Sequence, residues 1–277
     1  MVEHSSFSGS SGNHGGALGL EGGYTDILNS VFINNTASVG SHIRIEANIA
    51  NIDSCRFEKG NSELGSIVII DGYSLISNSF FNNNTANDIG SHINTMDSTL
   101  EITNSSFENG ISEHGSVSSI RGEVYITDSI FKNNRAIEGS HIYMLGNSLV
   151  VSNSIFELGD AKRGGICIFD MIGEVRISNC TFLNNDGKYG SSIYLRDSES
   201  GEIENSTFLH NTGFSGGAVF VRNVTQINLK NSLMQNNSAT YSGCIRISES
   251  QYSLDNSEFT GNSGSIVAGG LYKKFFN

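Results

Sequence analysis

The chain has 277 residues, 37% of them apolar and 16% charged; 28 acidic against 16 basic side chains leave a formal net charge of -12. This apolar share supports a packed core and excludes a disordered chain. The acidity excludes nucleic-acid binding through a basic surface, and no apolar run approaches the ~20 residues that span a bilayer.

From its first residues the chain is a repeat. Phe7 is the first of eleven equivalent anchors; the others are Phe32, Phe57, Phe81, Phe107, Phe131, Phe156, Phe182, Phe208, Met234 and Phe259, always 24 to 26 residues apart. Self-similarity at such a period marks a solenoid. Five residues before the anchors from Phe32 onward stand Ile27, Ile52, Ile76, Ile102, Ile126, Val151, Ile177, Ile203, Leu229 and Leu254. Three before them stands Asn or Asp, with Ser54 the exception, and two before them Ser or, at Cys55 and Cys180, Cys. After each anchor a polar loop leads to a glycine such as Gly40, and the third residue beyond it is mostly aliphatic.

Alternation over so few residues predicts strands. Each unit reads as three: one after the glycine, one running up to the Asn, and one holding the anchor. A unit of this size buries its apolar face only by stacking on its neighbours. The expected fold is all-β, a single-stranded right-handed parallel β-helix of about eleven coils, with residues 1–277 as one domain. No capping element precedes the first coil, so this domain is expected to be a segment of a longer protein.

The columns have physical reasons. Stacked Phe and Ile fill a narrow interior. The Asn sits where the second strand bends into the third, a place that needs left-handed backbone; Asn104, Asn179 and Asn205 in this column are expected to be buried. The serines beside it point inward. Cys55, Cys167 and Cys180 read as small buried core residues, since no CxxC pattern or disulfide-dense scaffold is present.

A two-coil pattern overlies the single unit. GSHI, at residues 40–43, 90–93 and 139–142, follows turns of the FxNN type, and alternates with coils in which FExG is followed by GS[IV].

FxxN recurs at residues 32–35, 81–84, 131–134, 182–185, 208–211 and 259–262, and GGA[LV] at residues 15–18 and 216–219. This resembles the repeats of the polymorphic outer-membrane proteins of chlamydiae and similar repeats in large protist surface proteins. The resemblance implies a β-helical, adhesin-like passenger that is extracellular or on the cell surface.

Counting from the glycine, positions two, four and six of the first strand are expected to face outward. They form a candidate partner-binding face of His42, Ile67, Ile69, His92, His141, Tyr143, Ile166, Ile168, Tyr194 and Phe220, suited to a protein (another copy or another surface or filament protein) or a glycan. Glu21, Glu46 and Asp71 at position six form a weak Ca²⁺ candidate, and otherwise a solvated acidic strip. Asn34, Asn83, Asn223 and Asn236 head sequons at turns and are candidate glycosylation sites. No cofactor, nucleic-acid partner or catalytic residue is expected. The expectation is a non-enzymatic structural or adhesive module. The alternative is a polysaccharide-active enzyme or lectin-like β-helix, for which Glu46 and Asp71 would be the carboxylate pair.

Overall fold

The computed structural model describes residues 1–46 and 49–274, and the described residues form strands and turns with no helix. Strand pairings are parallel and join residues one coil apart, so the chain winds as a solenoid. The coil of residues 43–64 gives the plan. Ile43–Glu46 and Ile49–Asp53 lie in one broad sheet, Arg56–Glu58 in a second, and Asn61–Leu64 in a third. The first two expected strands therefore share a sheet, and they fuse in coils such as Ile67–Ser77. The third sheet is the segment that reads as a polar loop. Its inward column is small (Ala37, Ser62, Ala86, then Ala136, Ala161, Gly187, Gly213 and Ala239), so it carries little apolar signal.

The anchors form an in-register column from Phe7 to Phe259. From Phe7 to Phe208 the rings stack with centroids 4.7–5.0 Å apart and planes within 18°. The separation follows from the strand spacing of ~4.8 Å. Beside them runs the aliphatic column from Ile27 to Leu229, buried throughout.

The Asn column at the second corner adopts left-handed backbone as expected, from Asn29 (φ 48°) to Asn256 (φ 46°). Its side chains point out. Asn104, Asn179 and Asn205 are exposed, against the expectation of burial. They cap the corner from outside, as where Asn104 Nδ2 donates to Asn78 Oδ1 at 2.7 Å.

The buried polar column is a different one, three residues after the anchor: Asn35, Asn84, Asn134, Asn185, Asn211 and Asn237. Each Oδ1 accepts a backbone N–H, as from Gly60 to Asn84 at 2.7 Å. Each Nδ2 donates to the carbonyl of a preceding anchor, as from Asn84 to Phe57 at 3.1 Å. From Asn185 onward one such Asn sits in every coil and each donates to the next, Asn185 to Asn211 to Asn237 to Asn262, at 2.9–3.1 Å.

Before Asn185 only alternate coils hold an Asn, and the three GSHI histidines bridge the gaps. His42, His92 and His141 are fully buried, not outward. Asn35 Nδ2 donates to His42 Nδ1 at 3.0 Å, and His42 Nε2 reaches Asn84 Oδ1 at 3.2 Å, two coils on. Asn84 to His92, Asn134 to His141 and His141 to Asn185 repeat the contact at 2.9–3.1 Å. At His92 the far end is looser: Nε2 has no partner of hydrogen-bonding geometry, although Asn134 still raises its basicity. The intervening coils have Gly where the others have Asn. A Cβ on Gly60 would lie 2.8 Å from His42 Nε2 and 2.3 Å from Ser41 Oγ, so the imidazole occupies the place a side chain would take. GSHI carries one residue more than GS[IV], and that residue is the histidine. Ile43 pairs with Ile67 across the difference.

Candidate functional site

The same difference redistributes the expected outer face. Ile67 pairs with Ile43, Ile69 with Ile45, Ile166 with Ile142 and Ile168 with Met144, so all four isoleucines stand in the inward column, fully buried. Shifting a strand by one residue exchanges its faces. Cys167 goes the other way: it is buried, but in the outward column between Tyr143 and Tyr194. Of the ten expected face residues, Tyr143, Tyr194 and Phe220 do lie outside the helix.

Asp71 also leaves its expected column. Glu21 pairs with Glu46, but with Ile67 opposite Ile43 the next place in that column is taken by Ile70, and Asp71 turns the corner at φ 59°. Arg44 forms ion pairs with Glu46 and, at 3.9 Å, with Glu21. These carboxylates therefore do not form a three-acid Ca²⁺ strip. Among the described residues, the carboxylates and imidazole close enough to share an ion are those of Asp88, Glu113 and His114. They come together where the third sheet is interrupted and residues 111–114 pair only by isolated bridges. His114 lies between Asp88 (3.4 Å) and Glu138 (3.8 Å). Asn34, Asn83, Asn223 and Asn236 are exposed at left-handed corners with φ of 52–58°.

The outward column of the first strand meets the end of the third sheet at a concave corner. Its floor runs Tyr143, Cys167, Tyr194, Phe220, Arg246, Tyr272, each paired with the next. Its wall runs Glu138, Arg163, Tyr189, Ser215. Toward the N-terminus the same floor is Arg44, Val68, Asn94 and Ser118, so the aromatic character begins at Tyr143. Cys167, Phe169, Tyr194 and Phe220 form a second apolar cluster outside the helix, joined by Tyr143, Leu145 and Tyr189. Tyr194 and Phe220 stack at 5.2 Å with planes 7° apart.

This cluster is not open to solvent. Tyr194 is 5% and Phe220 8% exposed, because the chain's own cations cover them. Arg163 lies 5.9 Å from the Tyr194 ring centroid, Arg196 5.1 Å from Phe169, and Arg246 5.8 Å from Phe220. Cation over ring is attractive through the ring quadrupole. The result is a groove of about 570 Å³ lined by Arg163, Arg196, Arg222, Arg246, Tyr189, Phe214 and Tyr241, among others. It lies in the less acidic half: residues 1–138 hold sixteen acids and six bases, residues 139–277 twelve acids and ten bases. A larger depression of about 780 Å³ opens beside Asn223 and Tyr252, away from the aromatic cluster.

No thiol is prepared for chemistry. All four cysteines are free and buried. Burial pushes Cys55 and Cys180 up to about 11 and raises Cys167 and Cys244 further.

The sequence reading missed Arg163, Tyr189, Phe214, Tyr241 and Arg246. The signal available was the replacement of Asn and Ser by Tyr and Phe at one repeat position from Tyr143 onward. The wall comes from the strand read as a loop, so its residues had no assigned partner.

Residues 92–270, well over half the chain, match the family described as right-handed β-helix region. The chain belongs to that family, and the right-handed parallel solenoid is its fold. No curated protein and no solved structure matches. No helix of the described residues is long and apolar enough to cross a membrane.

Proposed function

We propose that this chain is a non-enzymatic structural and adhesive β-helix module of a cell-surface or extracellular filamentous assembly, making lateral contacts through the concave corner. One observation carries the reading. Large apolar residues such as Ile130, Ile155 and Ile172 are exposed elsewhere on the exterior, but the second apolar cluster, outside the helix, forms along the corner running from Tyr143 to Tyr272. Tyr and Arg are the residue types enriched at the centres of binding surfaces. The repeat resemblance and the exposed sequon residues Asn34, Asn83, Asn223 and Asn236 support an extracellular setting.

The contact residues follow from exposure. His42, His92, His141 and the four isoleucines are interior. Tyr194 and Phe220 support the surface from beneath. Phe214 (40% exposed), Tyr189, Tyr241 and the guanidinium groups above them face a partner. Aromatic rings beside cations also favour the lectin-like form of the alternative, in which the partner is a glycan.

The test is a paired assay: retention on arrayed glycans and surface proteins, and turnover of neutral and acidic polysaccharides. Retention without product release is expected. Turnover that disappears in Asp71→Asn or Glu46→Gln would replace this reading with the enzymatic one.

A further inference from the structure

Arg246 differs from the other arginines of the chain. Of nine, eight form an ion pair with a carboxylate: Arg44, Arg56, Arg121, Arg135, Arg163, Arg176, Arg196 and Arg222. Among the described residues Arg246 has no such partner. One of its terminal nitrogens donates to Ser215 Oγ at 2.6 Å, and its Nε is buried without a hydrogen-bond partner. Its guanidinium lies 5.7–5.8 Å from the ring centroids of Phe220, Tyr241 and Tyr272. Three rings thus hold a positive charge in place at the groove floor, with no carboxylate of the described residues paired to it. A half-buried guanidinium whose Nε is shielded from water gains from a carboxylate on its open side.

Resting on the adhesive reading above, we propose that the groove binds a terminal acidic sugar, its carboxylate on Arg246 and its pyranose ring against Tyr241 and Phe214. A planar guanidinium meets a carboxylate through two parallel hydrogen bonds. Phe214 and Tyr241 lie edge to face, 5.1 Å apart, beside that charge. The negative face of an aromatic ring attracts the weakly positive C–H groups on the apolar side of a pyranose.

The choice of ligand follows from what the groove lacks. The neighbouring arginines are already paired: Arg163 with Glu138, Arg196 with Asp197 and Arg222 with Glu249. A single guanidinium without a carboxylate partner suits one anionic group, not the run of charges on a polyanion, which a chain of net charge -12 repels. A peptide that binds by strand addition needs a free edge. Along the side of this solenoid the backbone groups of the third sheet and the first strand are already paired between coils.

The test uses the whole chain, titrated by NMR with methyl glucuronide, methyl glucoside and acetate. Methyl glucuronide should bind, with shifts confined to the corner, and the neutral glucoside should not. Arg246→Gln should weaken glucuronide binding about tenfold or more, a loss of roughly 1.4 kcal/mol, with an unchanged melting temperature. Phe214→Ala, which removes a sugar-facing ring and keeps the three rings around Arg246, should lower glucuronide affinity and leave acetate binding alone. Glucoside binding as tightly as glucuronide, acetate competing with it equally, or Arg246→Gln binding like the parent protein would each overturn the proposal. Retention by neutral glycans alone overturns the acidic-sugar assignment and leaves the adhesive role standing. Retention on no glycan or protein surface removes both.

Discussion

His42 Nε2 and Asn84 Oδ1 lie 3.2 Å apart although 42 residues and a whole intervening coil separate them. Through a hydrogen bond at each ring nitrogen the imidazole links Asn35 to Asn84, two coil spacings (about 9–10 Å) apart, and the coil between is passable because residue 60 is glycine. The two-coil repeat is thus a packing device: one coil supplies Asn and His, and the next supplies the Gly that lets the His through. Farther along, where Asn185, Asn211 and Asn237 stand in successive coils, the place of the His is taken by Ser192, Ala218 and Cys244.

This device predicts a non-additive mutant cycle. His42→Ala leaves a cavity and removes one hydrogen bond each from Asn35 and Asn84, which keep their backbone partners, and should cost about 2–5 kcal/mol. Gly60→Asn alone forces a side chain into the imidazole and should cost about 1–3 kcal/mol. Together they recreate the simpler ladder of the later coils, so urea unfolding of the double variant should show at least about 1 kcal/mol of recovery. Additive losses would mean that the two positions do not share one space.

The histidines also set a pH dependence. Burial holds His42 and His141 at about 4 and His92 at about 3. Asn35, Asn84 and Asn134 present N–H groups to the Nδ1 atoms, so an imidazolium there would lack an acceptor. The folded values lie below the ordinary value near 6.5, so the unfolded chain binds these protons first. Their contribution is whole above pH 6.5 and is lost as pH falls from there toward 3–4. At pH 5 each His should cost about 2 kcal/mol relative to pH 7.5. Urea midpoints should fall across this window, and less steeply in a His42→Ala protein. A flat profile between pH 7.5 and 5 would contradict the burial.

The period, the Phe and aliphatic columns and the parallel solenoid were legible because every coil must bury those side chains at the same place. The direction of the histidines was not. Counting from the glycine assumes coils of equal length, and the extra residue in GSHI exchanges the faces of Ile67, Ile69, Ile166, Ile168 and Cys167. The buried Asn column was masked by its exposed neighbours Asn34 and Asn83, which make both positions read as turn. The concave corner needs the third sheet, whose small inward residues and polar outward ones give a strand the pattern of a loop.

The Phe column should carry much of the stability. Phe107 is fully buried between Phe81 and Phe131. Phe107→Ala should cost about 3–5 kcal/mol in urea unfolding. A cost below about 1 kcal/mol would show that the solenoid closes over the gap.

Native thiol chemistry should be silent. With all four cysteines buried and their thiols raised, the folded protein at pH 8 should release no chromophore from an aromatic disulfide reagent, and four equivalents after unfolding in guanidinium. Rapid reaction of one thiol in the native protein would place Cys167 at an open surface.

The lateral contact itself is tested most directly by hydroxyl-radical footprinting of the protein free and bound to the surface that retains it best. The account predicts protection of Tyr189, Phe214 and Tyr241 at the concave corner, and none of Tyr73 and Tyr125 on the second strand. Protection of Tyr73 and Tyr125 with the corner still open to oxidation would contradict it.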